Sequence, residues 1–270
     1  MTKKKKKLDL NAMLAEAGTT LGYPALNMVL PFTAEPLCFL YQRLRGNTYL
    51  DLMSYEERQA FLKSSIHPLT VIFWSSVICL AIVIPLNLRH WRIIKFFSSK
   101  ISLSSAILCL ALGISLQLLA TGAIRMSNPD EIVYYGASFP LAVFVSGIVA
   151  PAAQELMFRA NVYESLKYNM HWGFAVVLQA IIYALFRSDF VQAPAALVTG
   201  LAFGLAFEWT GSIWAPAIAH FGYGVLGAII ATGDGEYAGY EASLVFPFLM
   251  FAALVAMTLA KLRSEGSVNE

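Results

Sequence analysis

The chain has 270 residues, of which 58% are hydrophobic and only 13% charged, and its mean hydropathy of +0.62 is too high for a soluble domain of this length. Its 19 basic and 17 acidic residues leave a net charge of +2, a balance that carries no electrostatic footprint for nucleic acid or for an acidic partner. The composition is that of an all-α, polytopic membrane protein.

Lys3 to Lys7 open the sequence, but the residues that follow are broken by Asp9 and Glu16, so no cleavable signal peptide is expected. Residues 1–21 read instead as a basic cytoplasmic segment that orients the chain and meets anionic lipid heads.

Seven stretches are apolar and long enough to cross a bilayer: His67–Leu88, Ile101–Ala120, Ala137–Phe158, His171–Phe186, Gln192–Trp209, Ile213–Ala231 and Ala242–Ala260. An eighth, Gly22–Tyr41, carries Glu35 and three prolines, and by itself reads equally as a kinked span or as a re-entrant or interfacial helix. Topology decides for a span. With eight crossings, thirteen of the 19 basic residues fall on the side of the lysine run, and Trp91, Trp172, Trp209 and Trp214 gather at that same face. The reading is therefore one transmembrane helical domain over residues 22–260, a tail over 261–270, and both termini in the cytoplasm. A bacterial inner membrane suits this charge pattern.

Gly46–Ser65, between the first two spans, contains Ser54-x-x-Glu57, a capping box that opens a short helix whose Phe61 and Leu62 could rest on the bilayer. Glu56, Glu57 and Arg58 read as a solvated face. The small residues of Gly200-x-x-x-Gly204 and of Gly222, Gly224 and Gly227 read as helix-packing positions. Cys38, Cys79 and Cys109 lie inside apolar segments at no metal-binding or redox spacing and read as small buried hydrophobes.

Polar groups inside the spans carry the functional signal, because ionisable side chains there are costly. Gln154, Glu155 and Arg159 end one apolar run, Arg187 ends the next, and His220 sits about two turns into a later one. Glu155 and Arg159 are four apart with the acid first, the order that favours an intrahelical ion pair. Taken alone, that pair is an anchor for a helix end, and a lone histidine in a span is a structural one.

Together they resemble a known pattern. The run Gln154-Glu-Leu-Met-Phe-Arg159-Ala-x-Val-Tyr163 is similar to the Glu-Glu-x-x-x-Arg signature of the CPBP intramembrane proteases, which include CAAX prenyl endopeptidases and bacteriocin-processing proteins. Tyr183-Ala-Leu-Phe-Arg187 resembles that family's Phe-x-x-x-His. Gly211-Ser-Ile-Trp-Ala-Pro followed by His220-Phe-Gly-Tyr-Gly224 resembles its Gly-Ser-Leu-Trp-Ala-Pro and His-x-x-x-Asn, and both intervals, 154 to 187 and 187 to 220, are 33 residues. The likeness covers about 137–230 and implies an eight-helix core.

The resemblance also implies a glutamate that activates water, with histidines and an asparagine to polarise the carbonyl, steady the oxyanion or hold a metal. Three of those four positions differ in this chain. Gln154 replaces the first glutamate and accepts no proton at neutral pH; Arg187 replaces a histidine and neither ligates metal nor shuttles protons; Gly224 replaces the asparagine. Only His220 remains as a metal ligand, beside Glu155 and Arg159. These substitutions point to a non-catalytic relative that acts as scaffold, chaperone or assembly factor, with no cofactor. Its partners would be membrane lipids and another membrane protein or a lipidated peptide, within a larger complex.

Two alternatives stay open: an active endopeptidase with a rearranged centre, for which a metal ion could be required, and a transporter that shares only the composition. A further expectation is a buried Glu155–Arg187 ion pair. The span boundaries stand against it, because they place Gln154 near the inner face and Arg187 near the outer one.

Overall fold

A computed structural model describes residues 36–65, 67–89, 100–127, 138–185 and 192–232, together with isolated positions 25, 29, 33, 248 and 252. All regular structure among them is helical. After a helical stretch over 36–44 and a 3₁₀ turn at Thr48–Asp51 comes the short helix α1, Tyr55–Ser65. Six apolar helices follow: α2 (Pro68–Arg89), α3 (Leu103–Ser127), α4 (Phe139–Asn169), α5 (Trp172–Leu185), α6 (Ala193–Thr210) and α7 (Trp214–Thr232).

Five of these, all but α1 and the 14-residue α5, are long and apolar enough to cross a membrane. They and α5 correspond to six of the expected spans. The expected span Ala242–Ala260, and Gly22–Tyr41 up to residue 35, lie outside the described residues except at isolated positions.

The capping box at α1 forms as expected. Glu57 accepts a bond from the Ser54 amide at 2.9 Å, and the Ser54 hydroxyl accepts one from the Glu57 amide at 3.3 Å. The Ser54 amide first, and the nearby Ser54 hydroxyl second, hold the Glu57 carboxyl below its usual range, with burial acting in the opposite direction.

Where hydropathy ended the fourth span at Phe158, the helix continues to Asn169, so that α4 is 31 residues long. The polar residues that marked an apparent end are satisfied within the protein: Arg159 pairs with Glu155, and Asn161 donates to the Leu156 carbonyl at 2.9 Å. That second bond serves a carbonyl in a stretch where α4 widens. Leu156–Tyr163 is π-helical, as is Phe144–Val149, and the latter lies just before Pro151, which has no N–H to give the ladder. Single π turns of this kind are frequent at functional sites.

Close helix approach positions the rest. A Cβ built on Gly113 of α3 would overlap the Ala219 carbonyl of α7, and one on Gly222 would lie 2.8 Å from the Leu110 carbonyl oxygen. Gly200 and Gly204 let α6 settle on α5, where a Cβ would stand 3.0 Å from the Ala180 Cα and 3.2 Å from the Val176 side chain. The packing role read for Gly200, Gly204 and Gly222 agrees with these close approaches. Around the seams, α4 and α6 share a core with α2 and α5 on one side, through Phe158, Tyr183 and Phe207, and α6 meets α3 and α7 on another, through Leu112, Phe203 and Ala219.

Candidate functional site

Arg159 is fully buried, Glu155 is 1% exposed and His220 is 4% exposed, an arrangement that survives in an apolar interior only where the charges are paired. Arg159 faces Glu155 along two edges: its Nε lies 3.1 Å from Oε2, and Nη1 donates to Oε1 at 3.2 Å. From α7, His220 brings Nδ1 to 2.7 Å from the same Oε1. Both hydrogen bonds thus fall on Oε1, while Oε2 has only the ion-pair contact with Nε among the described residues.

The guanidinium reaches further. Its Nη2 donates to the Gly200 carbonyl on α6 at 3.5 Å, and its carbon lies 5.6 Å from the Tyr183 ring centre and 5.5 Å from that of Phe203. A planar cation stacked between two rings gains both charge and packing. His220 in turn lies against Phe203, with centroids 5.1 Å apart, and edge-on to Tyr223 at 6.0 Å. One ion pair therefore ties α4 to α5, α6 and α7.

Gln154 precedes Glu155 yet points elsewhere, as successive helix positions do. It is half-buried, and its Oε1 accepts a bond from the Tyr183 hydroxyl at 3.1 Å. That contact corrects the depth expected for Gln154. Because α4 runs to Asn169, Gln154 lies at its midpoint rather than near an end, and α5 has risen to the level of Gln154 by Tyr183, four residues before 187. Arg187 itself lies outside the described residues.

Depth can be counted from the tryptophans. Tyr183 is about 16 Å along α5 from Trp172, Gly200 about 13 Å along α6 from Trp209, and His220 about 9 Å along α7 from Trp214, at the helical rise per residue. The site therefore lies two to three helical turns in from the tryptophan-bearing ends of α5, α6 and α7.

Gly224, one turn beyond His220, touches the backbone of α4. A Cβ there would overlap the Ser146 carbonyl oxygen and would stand 2.6 Å from the Ser146 carbonyl carbon and 2.9 Å from the Gly147 Cα. Any side chain, asparagine included, would force the two helices apart. The glycine therefore removes the space for an asparagine as well as its donor.

Among the described residues, no group of three or more His, Cys, Asp and Glu side chains is placed to hold a metal ion. His220 is the sole imidazole in the cluster and its Nδ1 is turned to Glu155, so the described donor set does not fit a metal centre.

Two polar features went unnoticed in the sequence. Gln179, one turn before Tyr183, is fully buried, and neither of its amide atoms has a partner among the described residues. Glu208 joins the ends of α6 and α4, accepting from the Tyr163 hydroxyl and from Lys167, both at 2.5 Å. A carboxylate inside the apolar run 193–210 was as visible a signal as Glu155.

Comparison with known proteins bears on the same segment. Residues 136–226 match the family described as type II CAAX prenyl endopeptidase Rce1-like. Over these residues the chain is similar to a CPBP-type core. The membrane-embedded CAAX protease MroQ of Staphylococcus aureus (strain USA300) is 27% identical over 99 residues, which cover 34% of this chain and 40% of that protein. The putative membrane peptidase YdiL of Bacillus subtilis (strain 168) is 27% identical over 93 residues, 34% of this chain and 38% of the relative. The matched region thus spans about two fifths of each relative. No solved structure matches the chain. The matched segment contains Gln154, Glu155, Arg159, His220 and Gly224, so the sequence resemblance falls on the residues of the site described above.

Proposed function

We propose that this protein is a non-catalytic CPBP-type membrane protein that binds a membrane partner, either another membrane protein or a lipidated peptide, and serves as scaffold, chaperone or assembly factor. The packing of Gly224 against Ser146 and Gly147 carries the reading, because it leaves no room for the side chain that the family's third motif supplies. The other two observations agree: Gln154 holds a carboxamide where a base is needed, and Glu155 is held between Arg159 and His220.

No metal or organic cofactor is part of this reading. The bacterial origin of the two relatives and the basic N-terminus support a bacterial inner membrane, with both termini inside.

The test is a cleavage and binding assay on the purified protein in proteoliposomes with a prenylated CAAX peptide. Binding without cleavage is the expected result. The short Glu155–His220 contact favours one competing reading, in which the pair acts as a general base in an active endopeptidase. Cleavage that disappears in both Glu155→Ala and His220→Ala would establish that competitor.

A further inference from the structure

Position 154 has changed polarity as well as basicity. A carboxylate offers only acceptors, whereas a carboxamide offers one acceptor and two N–H donors. Here the acceptor is already occupied, since Tyr183 donates to Oε1 at 3.1 Å and so fixes which way the amide faces. That is the side chain's single hydrogen bond within the described residues, and the residue is half-buried rather than sealed. The amide nitrogen is therefore presented as a donor at the place where the family presents a base.

We propose that Gln154 binds a carbonyl oxygen of a partner's peptide backbone, in a stretch where that partner's membrane helix is unwound. Depth selects the ligand. Lipid ester carbonyls lie at the edges of a hydrocarbon core about 30 Å thick, while the Gln154–Tyr183 contact lies at the midpoint of α4 and about 16 Å along α5 from Trp172. Carbonyls of an intact helix already accept one bond within that helix, whereas those at a break have lost it, so at this depth a broken helix offers the better acceptor. This inference rests on the non-catalytic binding role proposed above and specifies what the site reads.

The experiment uses two synthetic leucine-rich transmembrane peptides, one uninterrupted and one with a central Pro-Gly break, each carrying a fluorophore for energy transfer to the labelled protein in proteoliposomes. The wild type is expected to bind the broken peptide more tightly than the intact one. Gln154→Met and Gln154→Leu keep roughly the size of the side chain but lose the donors, and each should weaken binding of the broken peptide about five- to tenfold, the loss of one hydrogen bond. Neither should change binding of the intact peptide. A ¹³C=¹⁸O label on the carbonyl before the break should show a lowered amide I frequency with wild type and none with Gln154→Met.

Equal affinity of wild type and both variants for the broken peptide, or no preference for it over the intact one, would overturn the proposal. Cleavage of either peptide would instead overturn the non-catalytic role, leaving the dependence of binding on Gln154 to be judged separately.

Discussion

Arg159 does more in this structure than neutralise Glu155. Its fork faces the carboxylate along two edges, its carbon lies over the Tyr183 and Phe203 rings, and it reaches a third helix through the Gly200 carbonyl. Lysine could supply the charge but neither the fork nor the stacking. Arg159→Lys is therefore expected to lower the melting temperature in detergent clearly, and Glu155→Ala, which leaves a buried guanidinium unpaired, to cost about 3–5 kcal/mol. A melt of Arg159→Lys matching wild type would show that charge alone holds the cluster. Gly224 gives a second prediction with its own control. Gly224→Ala forces α7 off the α4 backbone and should destabilise strongly. Gly227→Ala, whose Cβ would meet only the Gln117 side chain at 3.4 Å, should melt close to wild type. Equal melting of the two variants would mean that the close approach at Ser146 is not required for the fold.

Among the elements, α1 can be tested by pH. Its cap depends on an ionised Glu57, whose carboxyl is held below its ordinary range. A group with a lowered folded value stabilises fully above the unfolded value, about 4.3 for glutamate, and loses that contribution as pH falls through the folded value. Protection of the first amides of α1 against hydrogen exchange, corrected for intrinsic rates, should therefore be constant from pH 7 to about 5 and drop below about 4. In Glu57→Ala it should be low throughout, and a wild-type profile without that drop would count against the cap. This helix start was readable because a capping box is a local signal four residues long. The end of α4 was not readable in the same way. Arg159, Asn161, Glu164 and Lys167 look like a chain leaving the membrane, but partners within α4, Glu155 and the Leu156 carbonyl, together with Glu208 of α6, let the helix continue past them. Misplacing that end displaced Gln154 in depth, and the depth conflict with position 187 followed from it. The pairing of Glu155 with His220 lay beyond local reasoning too, since it joins residues 65 apart and rests on the glycine seams that bring α7 against α4. What the sequence did disclose was which residues to look at: Glu155, Arg159 and His220 were singled out as costly polar groups, and they are in mutual contact.

At the scale of the whole molecule, the described helices fix a parity that labelling can check. Three helices long and apolar enough to cross, α2, α3 and α4, separate the 3₁₀ turn at Thr48–Asp51 from the end of α4 at Asn169. Tyr49 and Tyr168 should therefore face opposite sides of the membrane, and the positive-inside pattern puts Tyr49 outside and Tyr168 with the tryptophans inside. Both side chains are exposed, at 65% and 66%, so cysteines placed there can be reached. Of the native cysteines, Cys79 and Cys109 are buried and Cys38 is partly exposed, which makes Cys38→Ser a suitable background. In right-side-out vesicles, an impermeant maleimide should label Tyr49→Cys directly and Tyr168→Cys only after permeabilisation. The reverse pattern would invert the chain and move the N-terminal lysines outside, while leaving the site at the same depth. Labelling of both cysteines from one side would be more consequential: an even number of crossings would mean that α2, α3 or α4 does not span. If α4 were the exception, Gln154 would leave the hydrocarbon, and water or lipid ester carbonyls could then satisfy the amide that a peptide carbonyl is proposed to meet.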